Sequence, residues 1–492
     1  MRSTEHPAPL LADAATPLDI HIIAIGGTGM APLACLLREL GHRVRGSDGP
    51  LYPPMSTLLE RAGIAPLLGY DAAHLEPAPD FVANLVIVGN AVRRDNPEAV
   101  EAERRGLPLM SMPQALYQFC LAGRQPLVVA GTHGKTTTTA MAAYTLHELG
   151  ADPGYLVGGL PLDLPASYAL GGGPAFVVEG DEYNAAYFDR GPKFLHYRPR
   201  TLIWTSGEYD HADLYPSPEA LLAAYRQLLA GMPGDGVVVA CGDRPEVREL
   251  APAAACRVVF YGLGERNEVR PLAPPVETNG RFACRVAGPA GEADLSPGVG
   301  GRHNLENAIG VWAALTANGH DPRAVAAALG RCRGVARRLQ ELGTVGGVTV
   351  VDDFAHHPTA VAATVDAVRR SYRGRRLVAA LELRSLSAAR SLFFDGYLDA
   401  LARADRVVLP PLFHAARLPA EERLDLAALA ARLGEQGVET TIAPGYDELL
   451  ATLVATAMPG DVVVSMSSGS FGGLPQRLLA ALQARVADAA GK

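Results

Sequence analysis

A chain of 492 residues is longer than one hydrophobic core supports, and at roughly 150 residues per domain it divides into about three domains. Its 48% apolar and 20% charged residues are those of a globular protein. With 52 acids against 44 bases the formal charge is -8, and the basic residues gather only in short pairs such as Arg337-Arg338 and Arg375-Arg376. That excludes an extended nucleic-acid surface and leaves phosphate groups to be met locally, in a pocket. The six cysteines lack the close spacing of a metal cluster and read as reduced thiols. Residues 1–18 hold Pro7, Pro9 and Pro17 and no apolar run, so a disordered N-terminus is expected rather than a signal peptide. No stretch reaches the roughly 18 apolar residues of a membrane helix, and a cytoplasmic location is expected.

The first segment, residues 19–123, opens with Ile20-His21-Ile22-Ile23-Ala24-Ile25, stops at Gly26-Gly27-Thr28-Gly29, and continues as a helix with Met30, Leu33, Leu37 and Leu40 at helical spacing. A second strand ends at Asp48, and Leu85-Val86-Ile87-Val88 runs into Gly89-Asn90, which predicts a Rossmann-like doubly wound sheet. Gly27-x-Gly29 begins like a dinucleotide fingerprint, but Pro32 holds the third glycine position and argues against NAD. Asp48 stands where an acid would reach a ribose.

The second segment, residues 124–332, opens with Leu127-Val128-Val129-Ala130 and the loop Gly131-Thr132-His133-Gly134-Lys135-Thr136-Thr137. Glycines let backbone N–H groups approach an anion, and the following helix adds partial positive charge at its start. Lys135 can reach terminal phosphates and Thr136 offers a hydroxyl to magnesium. The loop departs from the GxxxxGK[ST] spacing, because Val129 holds the first glycine position. Strands are expected at 176–178, 201–204 and 236–240. The first ends in Glu179-Gly180-Asp181-Glu182, carboxylates that suit magnesium. The second leads to Glu208-Tyr209-Asp210-His211-Ala212-Asp213, where His211 among acids suits a second metal or a phosphate contact. Short apolar runs alternating with Gly and Pro over 257–294 predict an antiparallel appendage on a P-loop ATPase-like sheet.

The third segment, residues 333–492, begins a new strand series at 348–351, followed by 377–381, 406–409 and 462–466, and reads as a second Rossmann-like domain. The fold class is therefore α/β in three domains. Asp352-Asp353-Phe354-Ala355-His356-His357-Pro358 follows the first of these strands and Glu382-Leu383-Arg384-Ser385 the second. Together with Arg337-Arg338 they face one crevice, as a loop handling ATP and substrate or, in the His pair, a metal.

Gly131 to Thr137, Glu208 to His211, Gly301-Arg302-His303-Asn304-Leu305-Glu306-Asn307 and Asp352 to Thr359 resemble the Mur ligases in order and spacing over nearly the whole chain. Within that family, Tyr52-Pro53-Pro54-Met55-Ser56, Glu179 to Tyr183 and Asp353 to Thr359 are similar to the members that add a tripeptide in peptidoglycan recycling, with the L-alanine-adding members next. The resemblance implies a ligase using ATP and Mg2+, with UDP-N-acetylmuramate in the first domain, ATP and magnesium in the second, and the murein tripeptide L-Ala-γ-D-Glu-meso-diaminopimelate in the third. It implies no nucleic-acid, membrane or obligate protein partner.

By the same resemblance, Gly131, Thr132, His133, Gly134, Lys135, Thr136 and Thr137 bind ATP, joined by Asn304, Asn307 and Arg338. Thr136, Glu179 and His211 hold metal. Gly27, Thr28, Gly29, Met30, Ser47, Asp48 and Asn90 meet the UDP-sugar, and Arg384 and Ser385 the peptide. Lys135, His211, Asp353 and His357 are the catalytic set, with His357 or Asp353 as the base for the peptide amine. Asn184-Ala185, Ser206, Leu386 and Ser468-Gly469-Ser470 depart from the recycling pattern, and they are expected to cluster around substrate rather than the phosphate loop. Two other readings are an L-alanine acceptor and a non-catalytic nucleotide-binding regulatory protein. Intact Lys135, Thr136, Glu179 and His211 speak against the latter.

Overall fold

The computed structural model describes residues 16–212 and 214–490, so the disorder expected of the N-terminus falls mostly outside the described residues. Apolar runs that form parallel strands are covered on both faces by helices, which is why they read as continuous rather than alternating. In the first domain β1 (Asp19–Ile23), β2 (Arg43–Asp48), β3 (Leu67–Leu68), β4 (Leu85–Val88) and β5 (Leu109–Ser111) are all parallel, in the order β3-β2-β1-β4-β5. Chain order reverses between β1 and β4, and a crevice opens beyond their carboxyl ends. Pro32 lies in the first turn of the helix Met30–Glu39, where no N–H partner is needed.

The second domain contains β6 (Gln125–Ala130), β7 (Gly154–Leu156), β8 (Tyr168–Ala169), β9 (Ala175–Gly180), β10 (Thr201–Trp204), β11 (Val237–Cys241) and β12 (Arg257–Tyr261). Their order is β12-β11-β10-β6-β9-β7-β8, parallel except at β8. Because β6 lies between β10 and β9, the loops leaving these three strands share one edge. One expectation is corrected here: residues 257–261 are not part of the appendage but pair parallel with β11 as the edge of the main sheet. Only alternate residues of β12 are buried, the pattern of an antiparallel strand, and its edge position produces that pattern. The antiparallel appendage is β13 (Arg270–Pro271), β14 (Val276–Thr278), β15 (Arg281–Gly288) and β16 (Gly291–Leu295).

In the third domain β17 (Gln340–Val345), β18 (Val348–Asp353), β19 (Leu377–Leu381), β20 (Arg406–Leu409), β21 (Glu439–Ile442) and β22 (Val462–Met466) order as β17-β18-β22-β19-β20-β21, with β17 antiparallel. The β17–β18 hairpin turns on Gly346-Gly347, both at positive φ, the torsions that a two-residue hairpin loop requires.

The two junctions between domains differ in kind. One apolar cluster runs from the first domain into the second, joining Met112 and Leu116 to Phe194, Tyr197 and Trp204. The third domain keeps clusters of its own. It is tied on by the segment 333–339, which the second domain grips through Arg333 on Asp163 (2.5 Å), Leu162 N–H on Gly334 O (2.9 Å) and Ala336 N–H on Leu160 O (2.8 Å). Among the described residues no helix is long and apolar enough to cross a membrane.

Inside the first domain a buried carboxylate, Glu98, binds His21 Nε2 (3.1 Å), His74 Nδ1 (2.6 Å) and the hydroxyl of Ser47, linking β1, β2 and the turn at Ala72–Leu75. Burial favours the neutral acid, but these partners outweigh it and hold Glu98 below its ordinary pKa. Replacing one member strands the others, so Glu98→Leu is expected to cost about 3 kcal/mol. The check is the first unfolding transition in a calorimetric scan; an unchanged transition would show that the network contributes nothing.

Candidate active site

The loop between β6 and the helix Lys135–Glu148 is built on two glycines in torsions that residues with side chains rarely adopt. Gly131 has φ +132, and a Cβ there would lie 2.2 Å from Thr205 Oγ1; Gly134 has φ +80, and its Cβ would lie 2.8 Å from Asn307 Oδ1. The backbone therefore folds tightly against the β10 loop on one side and the helix Arg302–Ala317 on the other. Thr132 Oγ1 donates to Glu208 O (2.6 Å) and His133 N–H to Ser206 Oγ (3.0 Å). Ser206 is thus in direct contact with the phosphate loop, and the expectation that the departures avoid that loop is corrected. Asn304 and Asn307 are buried and bonded to each other, behind the same turn.

Lys135, the first residue of the helix, is nearly enclosed. Its Nζ donates to Gly131 O (2.8 Å) and to Glu182 Oε2 (2.7 Å). Burial works against the ammonium, but Glu182, Asp181 and Glu179 outweigh it and keep its pKa above the ordinary lysine value. Glu182 is 1% exposed and also accepts from Tyr225 OH (2.7 Å). Thr136 Oγ1 donates to Glu179 Oε2 (2.9 Å) and accepts from Arg338 Nη2 (3.4 Å). Burial, then the charge of Asp181, push Glu179 up to about 7. Lys193 pairs with Asp181 at 3.3 Å. His211, at φ +58, has Nε2 4.0 Å from Glu182 Oε2 and lies against the ring of Tyr183, centroids 4.4 Å apart and tilted by 52°. The hydroxyl and carboxylate oxygens of Thr136 and Glu179 suit a hard divalent cation beside a triphosphate. The acidic motif was readable in sequence, but not which of its carboxylates would take Lys135.

The third domain closes over this edge. Thr359 Oγ1 donates to Glu208 Oε1 (2.6 Å), Ala212 N–H to Ser387 Oγ (3.1 Å), and the rings of His133 and His357 lie 4.9 Å apart. His357 is 4% exposed with neither ring nitrogen hydrogen-bonded. Burial, then the neighbouring His133, lower it to about 4, so its ring is neutral near pH 7. Asp353 is occupied otherwise: its carboxylate accepts from Leu339 N–H (2.6 Å), Ala355 N–H (2.8 Å) and Thr364 Oγ1 (3.0 Å). Arg384 lies 3.9 Å over the ring of Phe413 and 3.7 Å from buried Glu382, which Tyr446 and Ser467 also bind. Ser385 Oγ accepts from Ala388 N–H and shapes that loop.

In the first domain, Gly27, exposed Thr28 and Gly29 line the crevice beyond β1, with exposed Asn90 across from them beyond β4. Asp48 accepts from Gly26 N–H (2.8 Å), Gly49 N–H and Tyr70 OH, fixing the glycine loop to the end of β2. Met30 and Ser47 face inward, one into the apolar core and the other onto Glu98.

Sequence and structure comparisons agree on one family. Models of the Mur ligase family catalytic domain, the Mur ligase middle domain and the Mur ligase glutamate ligase domain match residues 19–124, 129–315 and 337–469. The UDP-N-acetylmuramate--L-alanyl-gamma-D-glutamyl-meso-2,6-diaminoheptandioate ligase of Escherichia coli (strain K12) is 40% identical, over 96% of this chain and 99% of its own. The UDP-N-acetylmuramate--L-alanine ligase of Rubrobacter xylanophilus is 34% identical, over 94% of this chain and 100% of its own. Among solved structures, a murein peptide ligase from Psychrobacter arcticus 273-4 matches with a TM-score of 0.71 at 33% identity, over 95% of this chain and 99% of that one.

The glycine geometry makes a sharp forecast for nucleotide binding. Gly131→Ala forces a strained torsion into a crowded turn at a cost of about 1–3 kcal/mol, so affinity for ATP is expected to fall roughly tenfold to a hundredfold by titration calorimetry. Wild-type affinity in this variant would mean that nucleotide does not use the loop.

Proposed function

The chain belongs to the Mur ligase family, and we propose that it joins the carboxylate of UDP-N-acetylmuramate to the amine of the tripeptide L-Ala-γ-D-Glu-meso-diaminopimelate, forming ADP and phosphate. The observation that carries this reading is the shared crevice in which the phosphate loop that leads to Lys135, with Glu208 beside it, meets His357 and Thr359 of the third domain: His133 of that loop lies against His357, and Glu208 accepts from Thr359. A nucleotide and an acceptor held there are within reach of the same reacting carboxylate.

A carboxylate is a poor electrophile, so amide formation runs through an acyl phosphate. The sugar's carboxylate oxygen takes the γ-phosphoryl group of ATP and ADP leaves; the amine then attacks the acyl carbon, and the carbon–oxygen bond to phosphate breaks. Lys135 and the N–H groups at the start of its helix stabilise charge on the transferred phosphoryl group. Thr136 and Glu179 would hold magnesium, with His211 at a second position, and the ion when bound neutralises phosphate charge. A peptide ammonium, with a free pKa near ~8, must lose a proton before attack. His357 is the group left to take it as the site fills: both its ring nitrogens are without a partner, whereas Asp353 is committed to holding its own loop. Arg384, fixed by Glu382 and Phe413, is placed to pair with a carboxylate of the peptide. Enclosure by three domains keeps water from the acyl phosphate.

Phosphate release from ATP, with UDP-N-acetylmuramate and either the tripeptide, free L-alanine or no acceptor, decides the reading. Tripeptide-dependent release that disappears in Lys135→Ala is the expected result. Dependence on alanine instead would make the chain an alanine-adding ligase, and silence with both acceptors would favour a non-catalytic nucleotide-binding protein. In the same assay His357→Ala is expected to lower kcat roughly a hundredfold or more. Arg384→Ala should raise KM for the tripeptide about tenfold while leaving that for ATP unchanged. Equal effects on both substrates would remove Arg384 from the peptide site.

A further inference from the structure

His133, Glu208 and His357 come from three separate stretches of chain, and each offers a ligand atom within 4.8 Å of the other two. Two belong to the central domain, one in the phosphate loop and one beyond β10, and the third to the C-terminal domain. Ligands on bonds of about 2.1 Å at tetrahedral angles stand about 3.4 Å apart, so the cluster has to draw together by an ångström or so to hold an ion. His357 is buried with both ring nitrogens free of hydrogen bonds. It is the one buried side chain among the described residues with two ring nitrogens left without a partner, a group that lacks its ligand. Glu208 is already oriented: Thr359 occupies Oε1, leaving Oε2 turned to His133 at 2.8 Å. Such a bond from a neighbouring group is what aims a ligating carboxylate. The side chains of His133 and Glu208 are 24% and 40% exposed, which gives an ion a path from solvent.

We propose that His133, Glu208 and His357 form a binding site for a divalent transition cation of the zinc class, bridging the central and C-terminal domains. Two imidazoles and one carboxylate suit zinc, cobalt or nickel; magnesium prefers oxygen donors and octahedral geometry. The site is therefore chemically distinct from the Thr136–Glu179 oxygens. An ion held there replaces the His133–Glu208 bond, ties a phosphate-loop residue to the neighbouring domain and occupies the His357 ring that would take the amine's proton, so it holds a closed arrangement that is at rest.

The test uses the full chain, stripped of metal with a chelator and free of nucleotide. Cobalt(II) chloride is titrated while visible absorption is followed, then zinc chloride is added. Binding of one equivalent with the strong absorption of low-coordinate cobalt, reversed by zinc, is the expected result. Glu208→Gln, which keeps the bond from Thr359, and His133→Gln should each raise the Kd at least tenfold, while His320→Gln, distant in sequence and outside the cluster, should not. Zinc should raise the melting temperature of the wild type and not of the two cluster variants. The metal-free melting temperatures report whether each variant folds, and either folded variant alone suffices. Wild-type cobalt affinity in a folded cluster variant, or displacement of cobalt by an equal concentration of magnesium, would overturn the assignment.

Discussion

One buried ammonium organises the molecule. Lys135 begins a helix whose N-terminus already carries partial positive charge, and it is nearly enclosed, so the position is tenable only with anionic neighbours. Glu182 supplies the closest, and Glu182 is in turn fixed by Tyr225, whose ring stacks on Trp204 and Phe194 beneath the central sheet. The chain of dependence runs from a reactive charge through a carboxylate and a phenol into the apolar core. Packing and chemistry are therefore not separable here: what holds β9, β10 and their covering helix in place also sets where the ammonium points.

Charge also decides how the domains meet. The first two share a continuous apolar interior and behave as one body. The third meets them through directional polar contacts, Thr359 on Glu208, Ser387 with Ala212, Arg338 on Thr136, and Arg370 and Arg373 on Glu277 of the appendage. Contacts of that type contribute little net stability when exposed and exchange readily with water, so this junction is the one that can open.

The continuous apolar strands were legible because burial on both faces leaves a run that nothing else explains: residues 85–88, 201–204, 377–381 and 462–466 are strands as read. The polar edge strands β17 and β21 were not, since none of their residues is fully buried and their alternation is weak. Residues 257–261 were misassigned because an edge strand of a parallel sheet shows the same alternation as a hairpin strand. Within the site, glycines and the lysine announced the phosphate loop. The contact between Ser206 and that loop had no signal in the chain, because it depends on β10 lying beside β6. Ser47 and Asp353 were noticed as polar residues at strand ends, yet their side chains are taken up within their own domains. Strand-end position tells where a group is, not which way its hydrogen bonds run.

The segment 333–339 carries a mechanical consequence. Its first half is clamped to the central domain through Arg333, Gly334 and Ala336, and its second half is clamped to the C-terminal sheet where Leu339 N–H meets Asp353. Only Arg337 and Arg338 lie between the two clamps, and Arg337 is itself bonded to Gln340, Ser467 and Gly469 of the C-terminal domain; Arg337 and Leu339 are both in left-handed torsions. A pivot this short has almost no slack, so the C-terminal domain swings as a door on one hinge pin rather than drifting on a tether. Arg338 is on the pin itself, and its guanidinium touches Thr136. The angle of the door is thereby geared to the second residue of the phosphate-loop helix, and whatever loads that loop is felt as torque at the hinge.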